Sequence, residues 1–189
     1  MSITRRYTIA DLEQITPRNG ERLELIDGEL FVSHAPSWEH QRAATTICTA
    51  LDIWSDGTGL GTTLQAPGIV YSAESGVIPD VVWISWDRLR MVRDSAGHFT
   101  RSPELVVEVM SPGADNMRRD RETKLGLYAR EGVREYWIVN LLSQSVDIFR
   151  HDGDRLVLVQ TAGGDEVLES PDLLPGFQMP VARIWPPAL

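Results

Sequence analysis

The residues of this chain that could carry out chemistry concentrate between Pro103 and Lys124. Glu108 lies inside the segment Leu105–Val109, whose continuous apolar pattern predicts a strand that is buried on both faces. An unpaired carboxylate among aliphatic side chains costs several kcal/mol, so Glu108 requires a partner. Three kinds of partner satisfy this requirement: a metal ion, a cationic side chain, or a proton on the carboxylate itself.

Lys124 is the only lysine among the 18 Lys and Arg residues of the chain. It falls near the middle of a helix predicted over residues 115–131, which Gly132 ends. An ammonium is a compact charge whose pKa responds to burial and to its neighbours, a property that arginine does not offer. Two interpretations remain open: a group that positions a nucleophile or stabilises developing charge, and a surface ion pair with Asp120, four residues earlier.

Two further acids lie on predicted strands. Asp80 stands at the entry of a buried strand, and Glu24 lies in the first strand of a hairpin that turns at Asp27-Gly28. Carboxylates on adjacent strands can share one divalent ion, and oxygen ligands favour Mg²⁺ or Mn²⁺. Such an ion polarises a phosphodiester and lowers the pKa of the attacking water, while a nearby ammonium orients the nucleophile. This pattern favours metal-dependent phosphodiester hydrolysis, with Asp80 and Glu108 as metal ligands.

Each of these residues also has a purely structural interpretation. Asp80 follows a proline and is typical of a turn. His40 begins the apolar stripe of a helix that Ser37 caps, so a hydrogen-bonded ring competes with a role as ligand or accessory catalyst. Tyr128, one helical turn after Lys124, is predicted to belong to the core.

The composition is that of an ordinary globular protein, and we predict one domain over residues 1–189. The single cysteine, Cys48, excludes an internal disulfide and a cysteine metal cluster. No apolar run approaches a membrane span and the N-terminus lacks a signal-peptide core, so we expect a cytoplasmic protein with no membrane partner. The net charge of −9 argues against a dedicated, high-affinity nucleic-acid coat protein.

The remaining pattern predicts an α+β fold with a mixed, mainly antiparallel sheet flanked by helices. It begins with the hairpin around Asp27-Gly28 and closes with a β-meander. Polar residues make 85–102 an exposed excursion, and the proline-rich tail 171–185 is expected to be irregular with a short strand. Other strands are predicted at 62–64, 68–71, 77–84, 135–139, 145–150 and 156–160.

Several motifs resemble, in order along the chain, the Uma-type family of restriction-endonuclease-like proteins. They are ELIDGEL from Glu24, His40, PDV from Pro79, LVVEVMSP from Leu105, Lys124 with Tyr128, GVREYW from Gly132, and LPGF from Leu174. The resemblance covers nearly the whole chain, and the LVVEVMSP and GVREYW blocks are its most specific parts.

The resemblance implies the PD-(D/E)xK fold, with a metal held by Asp80 and Glu108 and with Glu24 as the family's N-terminal acid, a ligand directly or through water. The wider superfamily carries its lysine two residues after the strand acid, where this chain has Met110. The resemblance therefore implies that Lys124, on the following helix, replaces it. It also implies a DNA substrate of undefined sequence and a homo-oligomer such as a dimer.

Three functions are weighed on this basis. The preferred one is a Mg²⁺-dependent endonuclease acting on DNA, with Lys124 and Glu24 as catalytic groups and His40 as an accessory. The alternative is a non-catalytic oligomeric or nucleic-acid-binding module that retains the nuclease fold, which the net charge favours. Hydrolysis of another phosphoester would use the same residues.

Overall fold

A computed structural model of the chain describes residues 5–18, 20–111 and 113–187. Pro112, which belongs to the predicted break after the central strand, lies outside these ranges. The helices are α1 Ile9–Leu12, α2 Trp38–Thr58, α3 Trp86–Val92, α4 Ala114–Arg118 and α5 Lys124–Arg130, with a π-helical segment Arg119–Thr123 between the last two and a 3₁₀ turn Val181–Arg183. None of the described helices is long and apolar enough to cross a lipid bilayer.

The strands form three sheets. In chain order they are β1 Arg22–Ile26, β2 Glu29–Ser33, β3 Gly61–Gln65, β4 Ile69–Ser72, β5 Ser75–Val77, β6 Val81–Ser85, β7 Leu105–Val109, β8 Glu135–Asn140, β9 Ser145–Asp152, β10 Arg155–Gly163, β11 Val167–Ser170 and β12 Leu174–Pro180. The central sheet has the order β10-β9-β8-β7-β6-β3, a second sheet has the order β2-β1-β5-β4, and β11 pairs with β12.

The central sheet contains one parallel pair, β7 with β8, and its other neighbouring strands are antiparallel. Parallel neighbours need a crossover connection, and α4, the π-helical segment and α5 supply it. This crossover carries Lys124 to the face of β7 on which Glu108 lies.

Both faces of the central sheet are covered. On one face, Ala43 and Ile47 of α2 share a core with Trp83, Val107 and Trp137. On the other face, Leu127 and Tyr128 of α5 pack in a second core with Val106, Tyr136 and Ile138. Successive side chains of a strand point to opposite faces, so every residue of β7, including Glu108, is buried because both faces of the strand are covered.

The second sheet positions Glu24. Its hairpin turns at Asp27 and Gly28, whose positive φ angles of 50° and 79° fit a type I′ turn. β1 also pairs with β5 through Leu25 and Gly76. This pairing holds β1 beside the chain that leads into β6, and therefore near Asp80.

The structure confirms the α+β class, the mixed and mainly antiparallel sheet, the N-terminal hairpin and the meander of β8, β9 and β10. It also confirms the helix after Ser37, whose Oγ accepts the backbone N–H of His40 at 3.3 Å. Gly59 ends that helix in the left-handed conformation. One domain over residues 1–189 stays a prediction.

Two segments differ from expectation. The segment 85–102 is not simply an exposed excursion, because Ser85 caps α3 and the buried side chains of Val92 and Phe99 anchor it to the core that contains Ile69. Its few apolar residues have no regular period, so the surrounding polar residues hid this anchoring. The tail is more regular than predicted, since β11 and β12 form a hairpin.

We expect the two glycines that flank the end of α2 to respond oppositely to alanine. At Gly61 of β3, an added Cβ would collide with the Ile84 carbonyl oxygen and lie 2.8 Å from the Trp83 ring, so Gly61→Ala should destabilise the protein by about 1–3 kcal/mol. At Gly57, inside α2, nothing lies within 4 Å, so Gly57→Ala should stabilise it by about 0.5–1 kcal/mol. Urea denaturation measures both, and equal effects would contradict this packing.

Candidate active site

Three separate parts of the chain meet at Lys124. The Nζ atom of Lys124 lies 2.9 Å from Oε1 of Glu108 on β7 and 3.0 Å from Oε1 of Glu24 on β1. The exposed fractions of these residues are 1% for Lys124, 4% for Glu108 and 2% for Glu24. The ammonium therefore bridges two carboxylates away from solvent, and the surface ion pair with Asp120 is excluded as an account of Lys124.

Further hydrogen bonds fix the two glutamates. The hydroxyl of Tyr128, also on α5, donates to Oε1 of Glu108 at 2.8 Å. The backbone N–H of Ile78 donates to Oε1 of Glu24 at 2.9 Å. Tyr128 is fully buried, as predicted, but its hydroxyl also belongs to this polar cluster.

Asp80, directly before β6, holds the second half of the site together. Its Oδ2 accepts the backbone N–H of Val109 at 2.9 Å and lies 3.2 Å from Nε2 of His40. Its Oδ1 lies 3.4 Å from Nη1 of Arg22. Asp80 thus connects β6 with β7, α2 and β1. The interpretation of Asp80 as a turn acid does not account for these contacts.

These side chains line one cavity of about 30 Å³, which we call the central cavity. This volume is enough for an ion or a water molecule. Its lining consists of Arg22, Glu24, Ser33, His34, Pro36, His40, Asp80, Glu108, Val109, Ser111, Arg119 and Lys124. All five residues singled out in the sequence, Glu24, His40, Asp80, Glu108 and Lys124, therefore come together.

The sequence motifs did not identify Arg119 as a residue of the cavity, and the π-helical segment explains why. The N–H of Lys124 bonds to the carbonyl of Arg119, five residues earlier, instead of four as in an α-helix. In a regular α-helix, residues five apart point about 140° away from each other. The wider turn allows both cations to line the central cavity, and no α-helical periodicity could have indicated this.

Burial and charge set the protonation of the cluster. Burial is the main cause that raises the pKa of Glu108 to about 8; the ammonium of Lys124 opposes this rise, and the negative charges of Asp80 and Glu24 favour it. Burial opposes the charge of Lys124, but Glu108 and Glu24 outweigh it and raise the pKa of the ammonium. Burial likewise opposes the charge of Asp80, but His40 and the N–H of Val109 lower the pKa of this carboxyl. The cluster therefore holds protons tightly at Glu108 and Lys124.

The donor set fits a divalent cation by chemistry. Glu24, Asp80 and Glu108 bring carboxylate oxygens, the hard donors that such a cation prefers, to one cavity. Within the described ranges, no three His, Cys, Asp or Glu side chains converge as a ready-made metal site. Mg²⁺ needs only one or two carboxylates because it retains several waters, so Asp80 and Glu108 are a sufficient protein contribution.

The chain belongs to the Uma2 family, whose model is described as "Putative restriction endonuclease" and matches residues 9–182. It is similar to a solved structure described as "a putative nuclease belonging to DUF820 from Anabaena variabilis ATCC 29413", with 12% identity, a TM-score of 0.74 and coverage of 94% of this chain and 96% of that chain. It is also similar to the type IIG restriction endonuclease BpuSI, with 18% identity, a TM-score of 0.41 and coverage of 80% of this chain and 16% of that chain. No curated protein matches the chain.

These comparisons confirm the family predicted from the sequence motifs and its restriction-endonuclease-like fold. The match spans every element that lines the central cavity, from β1 to the crossover helices. The roles of individual residues are a separate matter and follow below as proposals.

The raised pKa of Glu108 predicts a pH-dependent stability. The folded protein holds this proton more tightly than the unfolded chain, whose carboxyl has a pKa of 4.5, so the stabilisation is complete below pH 4.5 and is lost as the pH rises through about 8. Across this window we expect the free energy of unfolding to fall by roughly 5 kcal/mol, since a tenfold change in proton affinity corresponds to about 1.4 kcal/mol.

Urea denaturation between pH 4.5 and 9 in the presence of EDTA, on wild type and Glu108→Gln, checks this expectation. The variant should lose most of the fall, because an amide does not titrate. Glu104→Gln serves as the control, since Glu104 is a buried glutamate that bonds to Ser85 outside the cavity. Parallel profiles for wild type and Glu108→Gln would contradict the charge balance described here.

Proposed function

We propose that this protein is a Mg²⁺- or Mn²⁺-dependent endonuclease that hydrolyses phosphodiester bonds of DNA in the central cavity. The observation that carries the proposal is the buried Lys124 ammonium, held between Glu24 and Glu108 in a cavity that also contains Asp80. Membership of a family whose model is described as "Putative restriction endonuclease" supports the same reaction.

In this proposal Asp80 and Glu108 bind the metal, and Glu24 completes the ligand set directly or through a water. A bound divalent cation supplies Lewis-acid polarisation of a phosphate oxygen. The backbone N–H of Val109 and the ring of His40 hold Asp80 in the orientation that a ligand requires. The proton on Glu108 must leave before this carboxylate binds a cation.

Lys124 acts as a charged hydrogen-bond donor. Its raised pKa keeps it protonated at neutral pH, so it orients the attacking water and stabilises the developing negative charge instead of removing a proton. Glu24, which forms an ion pair with Lys124 and accepts the N–H of Ile78, receives the proton of that water in this proposal.

Three further residues complete the proposed site. Arg22 and Arg119 line the cavity and provide cations for the non-reacting phosphate oxygens. His40 is the accessory: its Nε2 faces Asp80, and its Nδ1 is buried without a hydrogen-bond partner among the described residues.

We expect wild type to nick supercoiled plasmid in Mg²⁺ or Mn²⁺, and Asp80→Ala and Lys124→Met to be slower by about 10²–10³-fold, because each loses a group that acts on the charge of the transition state. Agarose gels over time measure the rates. Asp87→Ala removes an exposed aspartate outside the cavity and should retain the wild-type rate. If wild type cuts DNA no faster than both cavity variants, the proposed nuclease activity is contradicted and the non-catalytic module becomes the preferred function.

Metal binding should also be visible without catalysis. A ligand at a hundredfold excess over its dissociation constant stabilises the folded state by about 2.7 kcal/mol, so Mg²⁺ should raise the melting temperature of wild type. Asp80→Ala should lose this response and Asp87→Ala should keep it. A wild-type melting temperature that is indifferent to Mg²⁺ and Mn²⁺ would contradict the metal site. A cytoplasmic location and a homodimer stay predictions.

A further inference from the structure

A second, larger depression opens beside the central cavity. It has a volume of about 640 Å³, within the range of roughly 300–1,000 Å³ that is typical of ligand pockets. We call it the side groove. The side groove and the central cavity adjoin each other, because both are lined by Ser33, His34, Pro36, His40 and Ser111.

The side groove differs sharply from the cavity in its chemistry. Its apolar lining includes Met110, Met117, Leu141 and Leu142, and amide side chains accompany them. No arginine or lysine lines it among the residues that the structure describes, whereas Arg22, Arg119 and Lys124 line the cavity. The cations thus line the central cavity, and the apolar surface lines the side groove beside it.

A nucleotide has the same division of properties. Its phosphate requires cations and hydrogen-bond donors, while its base presents a flat apolar face and polar edges. A groove that followed a sugar–phosphate backbone would instead need several Lys or Arg side chains along its length. The charge of the phosphate therefore matches the cations of the central cavity, and an unstacked base matches the apolar lining of the side groove.

We propose that the side groove receives an unpaired nucleobase next to the scissile phosphate, so that the substrate is single-stranded or locally unpaired nucleic acid. This inference rests on the proposed nuclease function of the central cavity. A base inside a duplex is stacked and paired, and it would first have to be extruded at a cost of a few kcal/mol. The net charge of −9 gives the chain little general attraction for the dense charge of a duplex.

Leu142 provides the test, because its side chain lines the side groove and is 80% exposed, so its replacement leaves the core intact. Leu142→Ala removes apolar contact with the base and should lower kcat/KM on single-stranded DNA by about fivefold, while Leu142→Trp should raise it by adding a stacking surface. Leu158→Ala is the matched control: this leucine on β10 is 53% exposed and lies outside the groove.

The full chain is incubated with Mg²⁺ and one end-labelled oligodeoxynucleotide, which is presented either as a single strand or as a fully base-paired duplex. We expect the single strand to be cut roughly tenfold faster or more, because the cost of base extrusion is absent. Equal cleavage of both forms would overturn the inference while leaving the nuclease function intact. The inference would also be overturned if Leu142→Ala had the same kcat/KM on single-stranded DNA as Leu158→Ala, or if it changed only the oligomeric state.

If neither form is cut, the nuclease proposal fails and binding decides the inference. Fluorescence anisotropy of the same two DNAs should then show tighter binding of the single strand, weakened by Leu142→Ala and unaffected by Leu158→Ala. Equal affinity for the two forms, or no binding of either, would overturn the inference.

Discussion

The burial of one ammonium between two carboxylates is the constraint on which this structure depends. Lys124, Glu24 and Glu108 are almost completely removed from solvent, and each would be strongly destabilising without the others. A well-packed apolar cluster of the same volume is often as stable as a buried ion pair or more so. Groups with strongly perturbed pKa values in a cavity are also more frequent at functional sites than elsewhere. The chain therefore keeps at its centre an arrangement that stability alone does not require.

The topology explains how residues a hundred positions apart reach this point. The parallel pair β7–β8 forces a crossover over one face of the sheet, and that crossover holds Lys124 and Tyr128 above Glu108. The antiparallel pairing of β1 with β5 brings Glu24, which belongs to a separate sheet, to the same site. Asp80 then links the two halves through the backbone of β7. The site is thus assembled by the main features of the fold and not by a mobile loop.

The sequence predicted most of this arrangement, because its signals were chemical and local. A carboxylate in an apolar strand, a single lysine in an arginine-rich chain and an Asp-Gly turn each have a direct physical meaning. The anchoring of α3 and the contribution of Arg119 escaped prediction for a different reason. Val92 and Phe99 are buried by tertiary contacts without a periodic pattern, and Arg119 lines the cavity through a helical turn of unusual width. Both depend on packing that local propensity does not encode.

The π-helical segment also determines how much chain the crossover can hold. A π turn is equivalent to one extra residue inserted into an α-helix, so a relative that lacks this residue would continue in regular helical register. Its arginine and lysine would then be four residues apart, about 40° around the helix axis, and would still share one face. A single-residue gap between Arg119 and Thr123 therefore leaves this face intact, whereas a chain that kept the extra residue in a regular α-helix would turn its lysine by about 100°.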